Sequence, residues 1–316
     1  MDKFPKVAII ILNWNGLKDT IECLESVFRI DYQNFEVIVV DNGSIDNSGE
    51  SIRKLFPQVI IIENGKNLGF AEGNNVGIRH AQKNQADYIW LLNNDVVVDR
   101  NALSSMVEFG EKESRIGILG SKIYYYDDPE LISFAGATIN WKKATSPHIG
   151  RGEKDIGQYE YYREVERVNG CSMLVKKEVL ENVGLLDEKY FLYVEEVDWC
   201  VRAKKKGYNV YYVPSSKVYH KISMSMGENS THMFAYYNTR NFLYLIRKIF
   251  HFPKREIYLT SAILWKIIQC KGLILKLVIP KIFLKTKNNF EDIAPLLGIF
   301  HFFIGKMGKG RYENLL

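Results

Sequence analysis

Three short apolar runs, each closed by a polar cluster, constrain this chain more than any other feature. Val7–Leu12 ends in Asn13, Trp14, Asn15 and Gly16. Phe35–Val40 ends in Asp41, Asn42, Gly43 and Ser44. Tyr88–Leu92 ends in Asn93, Asn94 and Asp95, with Val96–Val98 beyond. Runs of this length without alternation read as strands buried on both faces of a parallel sheet. Lys18–Phe28, Ser48–Phe56 and Gly77–Lys83 read as helices between them, and Val59–Glu63 as a further strand. The order β-α-β-α-β-α-β predicts an α/β fold with a doubly wound, mostly parallel sheet flanked by helices. Open sheets of this kind bind ligands beyond the carboxyl ends of their strands, so the three polar clusters should converge on one edge.

An aspartate at such an edge, with oxygen donors beside it, suits a hard divalent cation, Mg2+ or Mn2+, carrying phosphates. The competing reading of Asn93–Asp95 is a strand-to-turn cap. No GxGxxG follows the first strand and no GxxxxGK[ST] occurs, which removes the dinucleotide and P-loop fingerprints. The 316 residues allow one large α/β domain with an appendage. A net charge of +5 and the lack of a recognised module argue against a nucleic-acid partner. Four cysteines far apart, with no CxxC, indicate neither a zinc site nor a disulfide framework. A reducing, cytosolic compartment is expected, and the first apolar run reads as a strand, not a signal peptide.

Further along, Ala102–Glu111 reads as a helix and Ile116–Tyr126 as a strand. Residues 127–165 read as short strands with a mobile loop, and Val168–Val175 as a return strand. Val194–Lys206 reads as a helix ended by Gly207, and Asn209–Val213 as a strand with His220 behind it. Glu195 and Glu196 lie in that helix's first turn, where the dipole favours negative charge. Asp198 and Arg202 are four apart and should form an ion pair. Glu196 has no basic residue three or four positions away, so it is free to face a cleft. From about Thr231 the composition shifts. Met233–Phe250 reads as a helix, and Ile257–Phe283 is apolar but broken by Lys266, Lys271, Lys276 and Lys281. It never reaches the roughly twenty apolar residues of a span. It fits either helices at a membrane interface on the inner face of the cell membrane or a helical cap. Gly305–Arg311 reads as a basic, flexible tail. A catalytic domain over 1–225 and a helical extension over 226–316 are expected.

Taken in order, VAIIILNWNG, VIVVDNGSIDNS, NLGFAEGNNVGI, YIWLLNNDVVVD, the Val168–Val175 strand and GLLDEKYFLYVEEVDWCVRAKKKGY with VYH behind it resemble the family 2 glycosyltransferases of the GT-A fold. The likeness is to their rhamnosyl- and galactofuranosyltransferase branch and covers the first 220 residues or so. It implies inverting transfer from a nucleotide-sugar donor, dTDP-rhamnose or a UDP-sugar, to a glycan or lipid-linked acceptor in polysaccharide biosynthesis. It implies that Asn13, Asn15 and Asp41 hold the nucleotide, and that Asn67, Gly69, Phe70 and Asn74 line the diphosphate and sugar. Asn94, Glu195 and Asp198 complete the substrate-binding set. Asp95 and His220 would ligate the metal, with Asn93 acting through water, and Glu196 would be the catalytic base. One carboxylate of the family's DxD triplet is missing, since the triplet is Asn-Asn-Asp. That keeps open an alternative, a catalytically inactive nucleotide-sugar-binding or scaffolding relative. A nucleotidyltransferase is disfavoured because strand one ends in NWNG and not in a lysine-bearing glycine loop.

Overall fold

The computed structural model of the chain describes residues 4–221, 228–270 and 293–310. It divides into two compact units. The first comprises Met1–Thr138, His148–Glu188 and Glu195–Ile222. The second comprises Ile139–Pro147, Lys189–Val194 and Ser223–Leu316. Two short segments that precede the boundary expected near 225 thus go with the second unit.

The first unit begins β1 (Val7–Asn13), α1 (Leu17–Val27), β2 (Phe35–Asp41), α2 (Ser48–Leu55), β3 (Ile60–Glu63), α3 (Gly69–Lys83) and β4 (Tyr88–Asn93). It continues β5 (Val96–Val98), α4 (Ala102–Gly110), β6 (Ile116–Tyr125), β7 (Leu131–Phe134), β8 (Glu153–Lys154) and β9 (Arg163–Glu164). Then come β10 (Ser172–Lys176), α5 (Lys177–Val183), α6 (Glu195–Lys205) and β11 (Asn209–His220). The main sheet runs β3-β2-β1-β4-β10-β6-β11-β5. Strands β3, β2, β1 and β4 are parallel, as the alternation predicts. Beyond them β10 lies antiparallel between β4 and β6, β11 is parallel to β6, and β5 is antiparallel to β11.

The period-2 geometry of β1 divides its side chains between two cores. Val7, Ile9 and Ile11 pack with Cys23, Leu24 and Val27 of α1, whereas Ala8 and Ile10 pack with Ala71, Ile78 and Ala81 of α3. All five β1 residues are fully buried, each contributing roughly 1.5–3 kcal/mol where the side chain is Val or Ile. Helix α3 begins eight residues before the apolar spacing indicates. Its first three turns approach the sheet through glycines: a Cβ at Gly73 would stand 2.6 Å from Leu12 Cδ1, and one at Gly77 2.6 Å from Ile10 Cγ2. Strand β11 likewise outruns its expected end at Val213, passing Pro214 by a register shift between Val213 and Lys217 and resuming on β6 as far as His220.

The region over 127–165 closes around a buried cation. Lys122 of β6 is fully buried and pairs with Asp155 at 2.8 Å and with Glu160. Tyr124 also donates to Asp155. Burial works to raise the Asp155 carboxyl, and these donors outweigh it, holding the group down to about 2.

In the second unit, α7 (Glu228–Ile249), α8 (Lys254–Gln269) and α9 (Ala294–Phe303) pack with the two short segments. Buried Asn241 of α7 donates to the carbonyls of Tyr190, Leu192 and Tyr193 at 3.0, 2.8 and 2.7 Å. These bonds clasp a turn in which Phe191, Tyr193 and Val194 all have positive φ. Arg240, also buried, donates to the Tyr190 and Gly308 carbonyls. Gly308 and Gly310 are bonded to Lys189 and Tyr237, so residues 305–310 are anchored where the sequence indicated a flexible tail. Arg311 lies outside the described residues. Lys266 is buried, not a rim charge on an apolar face. Lys271, Lys276 and Lys281, with the remainder of the run to Phe283, lie outside the described residues. Among the described residues no helix is long and apolar enough to cross a membrane.

The Lys122 cluster fixes an acid response. The folded-state pKa of Asp155 lies below its ordinary 3.8, so the stability it contributes is present above about pH 4 and lost as pH falls towards 2. Asp155→Asn should cost about 1–3 kcal/mol at pH 7 by removing a charged partner from a buried ammonium. Urea titrations of both proteins should show a smaller loss between pH 4 and 2 in the variant. Parallel pH profiles would remove this account.

Candidate functional site

The register of the parallel strands sets the floor of the site. Asn13 pairs with Asp41 across β1 and β2, and Leu12 with Asn93 across β1 and β4. Asn13 is fully buried and every polar atom of its side chain is engaged. Its Nδ2 donates to Asp41 Oδ2 at 3.3 Å and Ser44 Oγ at 3.1 Å. Its Oδ1 accepts from Gly16 N at 3.2 Å, Thr20 Oγ1 at 2.9 Å and Asn94 Nδ2 at 3.4 Å. One amide therefore joins the loops after β1, β2 and β4. Gly16 is required by that closeness, since a Cβ there would lie 2.3 Å from Asn94 Nδ2. Asn15 adopts φ 52°; its N–H donates to Ser44 Oγ at 2.9 Å and its Oδ1 accepts from Ile45 N at 2.8 Å. Asp41 accepts from Ser44 N at 2.7 Å and remains slightly exposed at 6%.

Asn42 performs the same task for the next loop, and sequence reading assigned it no role. Its Oδ1 accepts from Asn64 Nδ2 and Leu68 N, both at 3.0 Å. Its Nδ2 donates to Asn67 Oδ1 at 3.1 Å and the Gly69 carbonyl at 3.2 Å. Asn67 Oδ1 also accepts from Gly69 N at 2.8 Å. Gly69 has φ 80°, a conformation that favours glycine at this helix entrance. Buried Asn74 donates back to the Phe70 carbonyl at 2.9 Å.

At the far side of β4, His220 Nε2 stands 3.1 Å from Asp95 Oδ1. The pairing of His220 with Val96 in β5–β11 brings them together, and Lys221 N donates to the Asp95 carbonyl at 2.9 Å. Burial would raise the Asp95 carboxyl, but bonds from His220 and Asn93 hold it below its ordinary range. Burial opposes charge on His220, yet Cys171 and Asp95 beside it lift its pKa to about 10. Lys221 is itself fixed to Asp19 at 2.7 Å and Glu22 at 2.6 Å. Among the described residues no group of three or more His, Cys, Asp or Glu is placed to hold a metal ion. Asp95 offers a carboxylate and His220 would offer a ring nitrogen once a cation displaces its proton, which fits a cation that completes its shell with phosphate oxygens and water. Asn94 turns away from Asp95 into the Asn13 cluster.

The first turn of α6 presents three carboxyls in three environments. Asp198 is fully buried and paired to Arg202 Nε at 2.6 Å, as the spacing predicts; Arg202 also donates to the Val183 and Leu185 carbonyls. Glu195 is 5% exposed, and its Oε2 is buried without a hydrogen-bond partner. Burial, reinforced by Glu196, raises its pKa well above the ordinary carboxylate range. Glu196 keeps 16% of its side chain exposed. It is not free of cations, as local spacing implied: Arg167, twenty-nine positions earlier, places Nη1 3.5 Å from Oε1. No short-range pattern could have revealed that pair. Phe70 joins Glu196 here, because a Cβ at Gly170 would contact Glu196 Cβ and the Phe70 ring, each at 3.6 Å.

Comparison with known proteins gives a consistent result. The family model for glycosyl transferase family 2 matches residues 8–184. The chain is similar to an N-acetylglucosaminyl-diphospho-decaprenol L-rhamnosyltransferase of Mycobacterium tuberculosis, 26% identical over 66% of this chain and 74% of the relative. It is similar to a dTDP-rhamnosyl transferase of Shigella flexneri, 25% identical over 77% of this chain and 80% of the relative. Some relatives are longer, and the chain spans 26% of the length of a Sinorhizobium fredii protein and 63% of a Haloferax volcanii hexosyltransferase. Among solved structures, a mannosyltransferase from Pyrobaculum calidifontis, in complex with GDP-Man and Mn2+, superposes with a TM-score of 0.61 at 15% identity, covering 96% of this chain and 89% of the other. That likeness establishes the GT-A fold.

Proposed function

The chain belongs to glycosyl transferase family 2 and is a glycosyltransferase, and from that premise we propose an inverting transfer from a nucleoside-diphosphate sugar to a hydroxyl of a glycan or lipid-linked acceptor. The observation that carries this reading is the sorting of the α6 carboxyls. Asp198 is taken up by Arg202 and Glu195 is sealed, while Glu196 retains exposure beside Phe70. Glu196 then takes the proton of the acceptor hydroxyl. The acceptor oxygen bonds to the anomeric carbon, and the bond from that carbon to the diphosphate breaks, its electron pair leaving with the diphosphate. Asp41 binds the base of the nucleotide, with Asn15 beside it, and Asn67, Gly69 and Phe70 line the diphosphate and sugar. Asn13, Asn74, Asn94 and Asp198 act as the frame that holds these contacts, since their side chains are engaged internally. The proposed donor is dTDP-rhamnose, because the Shigella relative is a dTDP-rhamnosyl transferase and the Mycobacterium relative an L-rhamnosyltransferase, with a UDP-sugar as the other candidate.

Asp95 and His220 would hold a divalent cation, Mg2+ or Mn2+, which would neutralise charge developing on the departing diphosphate. The reading of the chain as a non-catalytic nucleotide-sugar binder draws on one observation, that Asn94 is committed to Asn13 and leaves Asp95 as the triplet's only carboxylate. Product release from dTDP-rhamnose separates the two readings. A membrane role for the second unit draws on exposed Ile257, Leu264 and Ile268, which share one face of α8, and on Phe300 and Phe303 of α9 with Ile304 just beyond it.

Three outcomes are expected. Glu196→Gln should fold, bind dTDP normally and lose turnover about a hundredfold or more, whereas Asp198→Asn should chiefly lose stability; the reverse pattern in paired kinetic and melting measurements would exchange their roles. In calorimetry with manganese and dTDP, Asp41→Ala should weaken nucleotide binding by roughly 1–3 kcal/mol and Asp95→Ala should abolish the manganese contribution. Metal binding that survives Asp95→Ala would contradict the site. The full chain should sediment with anionic liposomes at low salt, and a wholly unbound protein would reduce the helices to a cap.

A further inference from the structure

Glu195 and Glu196 are adjacent carboxyls whose surroundings differ, and a buried guanidinium accounts for part of the difference. Arg167 is 4% exposed and lies over the Phe134 ring at 5.5 Å from its centroid. Its Nη1 donates to the Val168 carbonyl at 3.3 Å and stands 3.5 Å from Glu196 Oε1. The bridge between Ala137 and Arg167 fixes the backbone from which this side chain extends. Glu195, one residue away, has an orphaned buried oxygen.

The other ionisable groups near this pair come from several elements. Cys200 lies one turn along α6, and burial pushes its thiol up to about 12, so it is uncharged at neutral pH. Cys171 at the start of β10 adjoins Arg167. His148 is held down to about 4 by burial and by Arg167, so its ring is neutral. Lys204, whose field reaches Cys200, has its ammonium on Glu164 at 2.6 Å and on the Val165 carbonyl at 3.1 Å. Burial, and then the charge of Glu196, raise the Glu195 carboxyl well above its ordinary range.

We propose that Arg167 is a positioning residue for the base: it fixes one carboxylate oxygen of Glu196 beside a buried positive charge, leaving the second oxygen to face the acceptor hydroxyl. The proposal rests on Glu196 being the base. Its electrostatic half can be tested without substrate. The guanidinium lies on the more exposed of the two carboxyls, whereas Glu195 is sealed and its carboxyl is raised above its ordinary range by burial. Two carboxyls in one helical turn thereby meet different environments.

The test is a pH titration of protein labelled with 13C at the glutamate carboxyl carbon, the two resonances assigned by Glu195→Gln and Glu196→Gln. In Arg167→Gln the Glu196 midpoint should rise by about one pH unit or more, because an adjacent cation has been removed. Arg167→Lys should restore most of the shift. The kcat for release of dTDP from dTDP-rhamnose should fall about tenfold in Arg167→Gln, with its acid limb displaced upward, while the donor KM stays within about threefold. An unmoved Glu196 midpoint in Arg167→Gln overturns the proposal, as does a loss of kcat that tracks a lower Tm while the acid limb stays put. If Arg167→Gln does not fold, Arg167→Met, which keeps much of the apolar stem and removes the charge, is read in the same way, and an unmoved Glu196 midpoint there overturns the proposal. Near-normal turnover in Glu196→Gln would instead remove the base assignment itself, whatever the titration of the Arg167 variants shows.

Discussion

A single buried amide, Asn13, sets the spacing of the polar edge. It receives three donors on one oxygen and gives two hydrogen bonds from its nitrogen, and the partners belong to the loops after β1, β2 and β4. The parallel register delivers Asn13 opposite Asp41, so the loops meet because the strands are in step. Unmet polar groups at this depth are costly, which makes the cluster an all-or-nothing arrangement. Gly16 completes it by omission of a side chain. The loops can then be short and rigid, which is the condition for presenting a few polar groups to a ligand in fixed geometry.

Electrostatics does at α6 what sterics does at Asn13. Three carboxyls within one turn would repel one another in water. In the folded chain one is neutralised by Arg202, one is sealed with its carboxyl raised by burial, and one retains an exposed edge. Local spacing singles out Asp198, and folding sets Glu195 and Glu196 apart. The same logic governs Asp95 and His220, where burial opposes charge on both groups and is outweighed, at His220 by Cys171 and Asp95 and at Asp95 by His220 and Asn93.

The parallel half of the sheet was legible because its strands are uninterrupted Val, Ile and Leu runs, and the polar ends stood out against them. The Asp198–Arg202 pair was legible because it is local. What escaped detection depends on contacts between distant segments. The first three turns of α3 carry few apolar residues, and Gly73 and Gly77 hold them to the sheet by close approach, a signal that helical periodicity does not register. Strand β11 resumes after Pro214 only because β6 offers it an edge. Asn42 looked like a turn residue, and its four bonds appear once β2 and the loop before α3 are side by side. Arg167 lies far from Glu196 in sequence, so its pairing could not be read from spacing.

The second unit is assembled from three separate stretches of chain, with Asn241 of α7 gripping the turn at 190–193. A stop codon or protease cut just after residue 222 would therefore not excise a module. It would leave behind the stretches 139–147 and 189–194 without the helices they pack with, and three carbonyls without the amide that binds them. Fusion junctions and domain exchanges with other family members would have to carry all three stretches together.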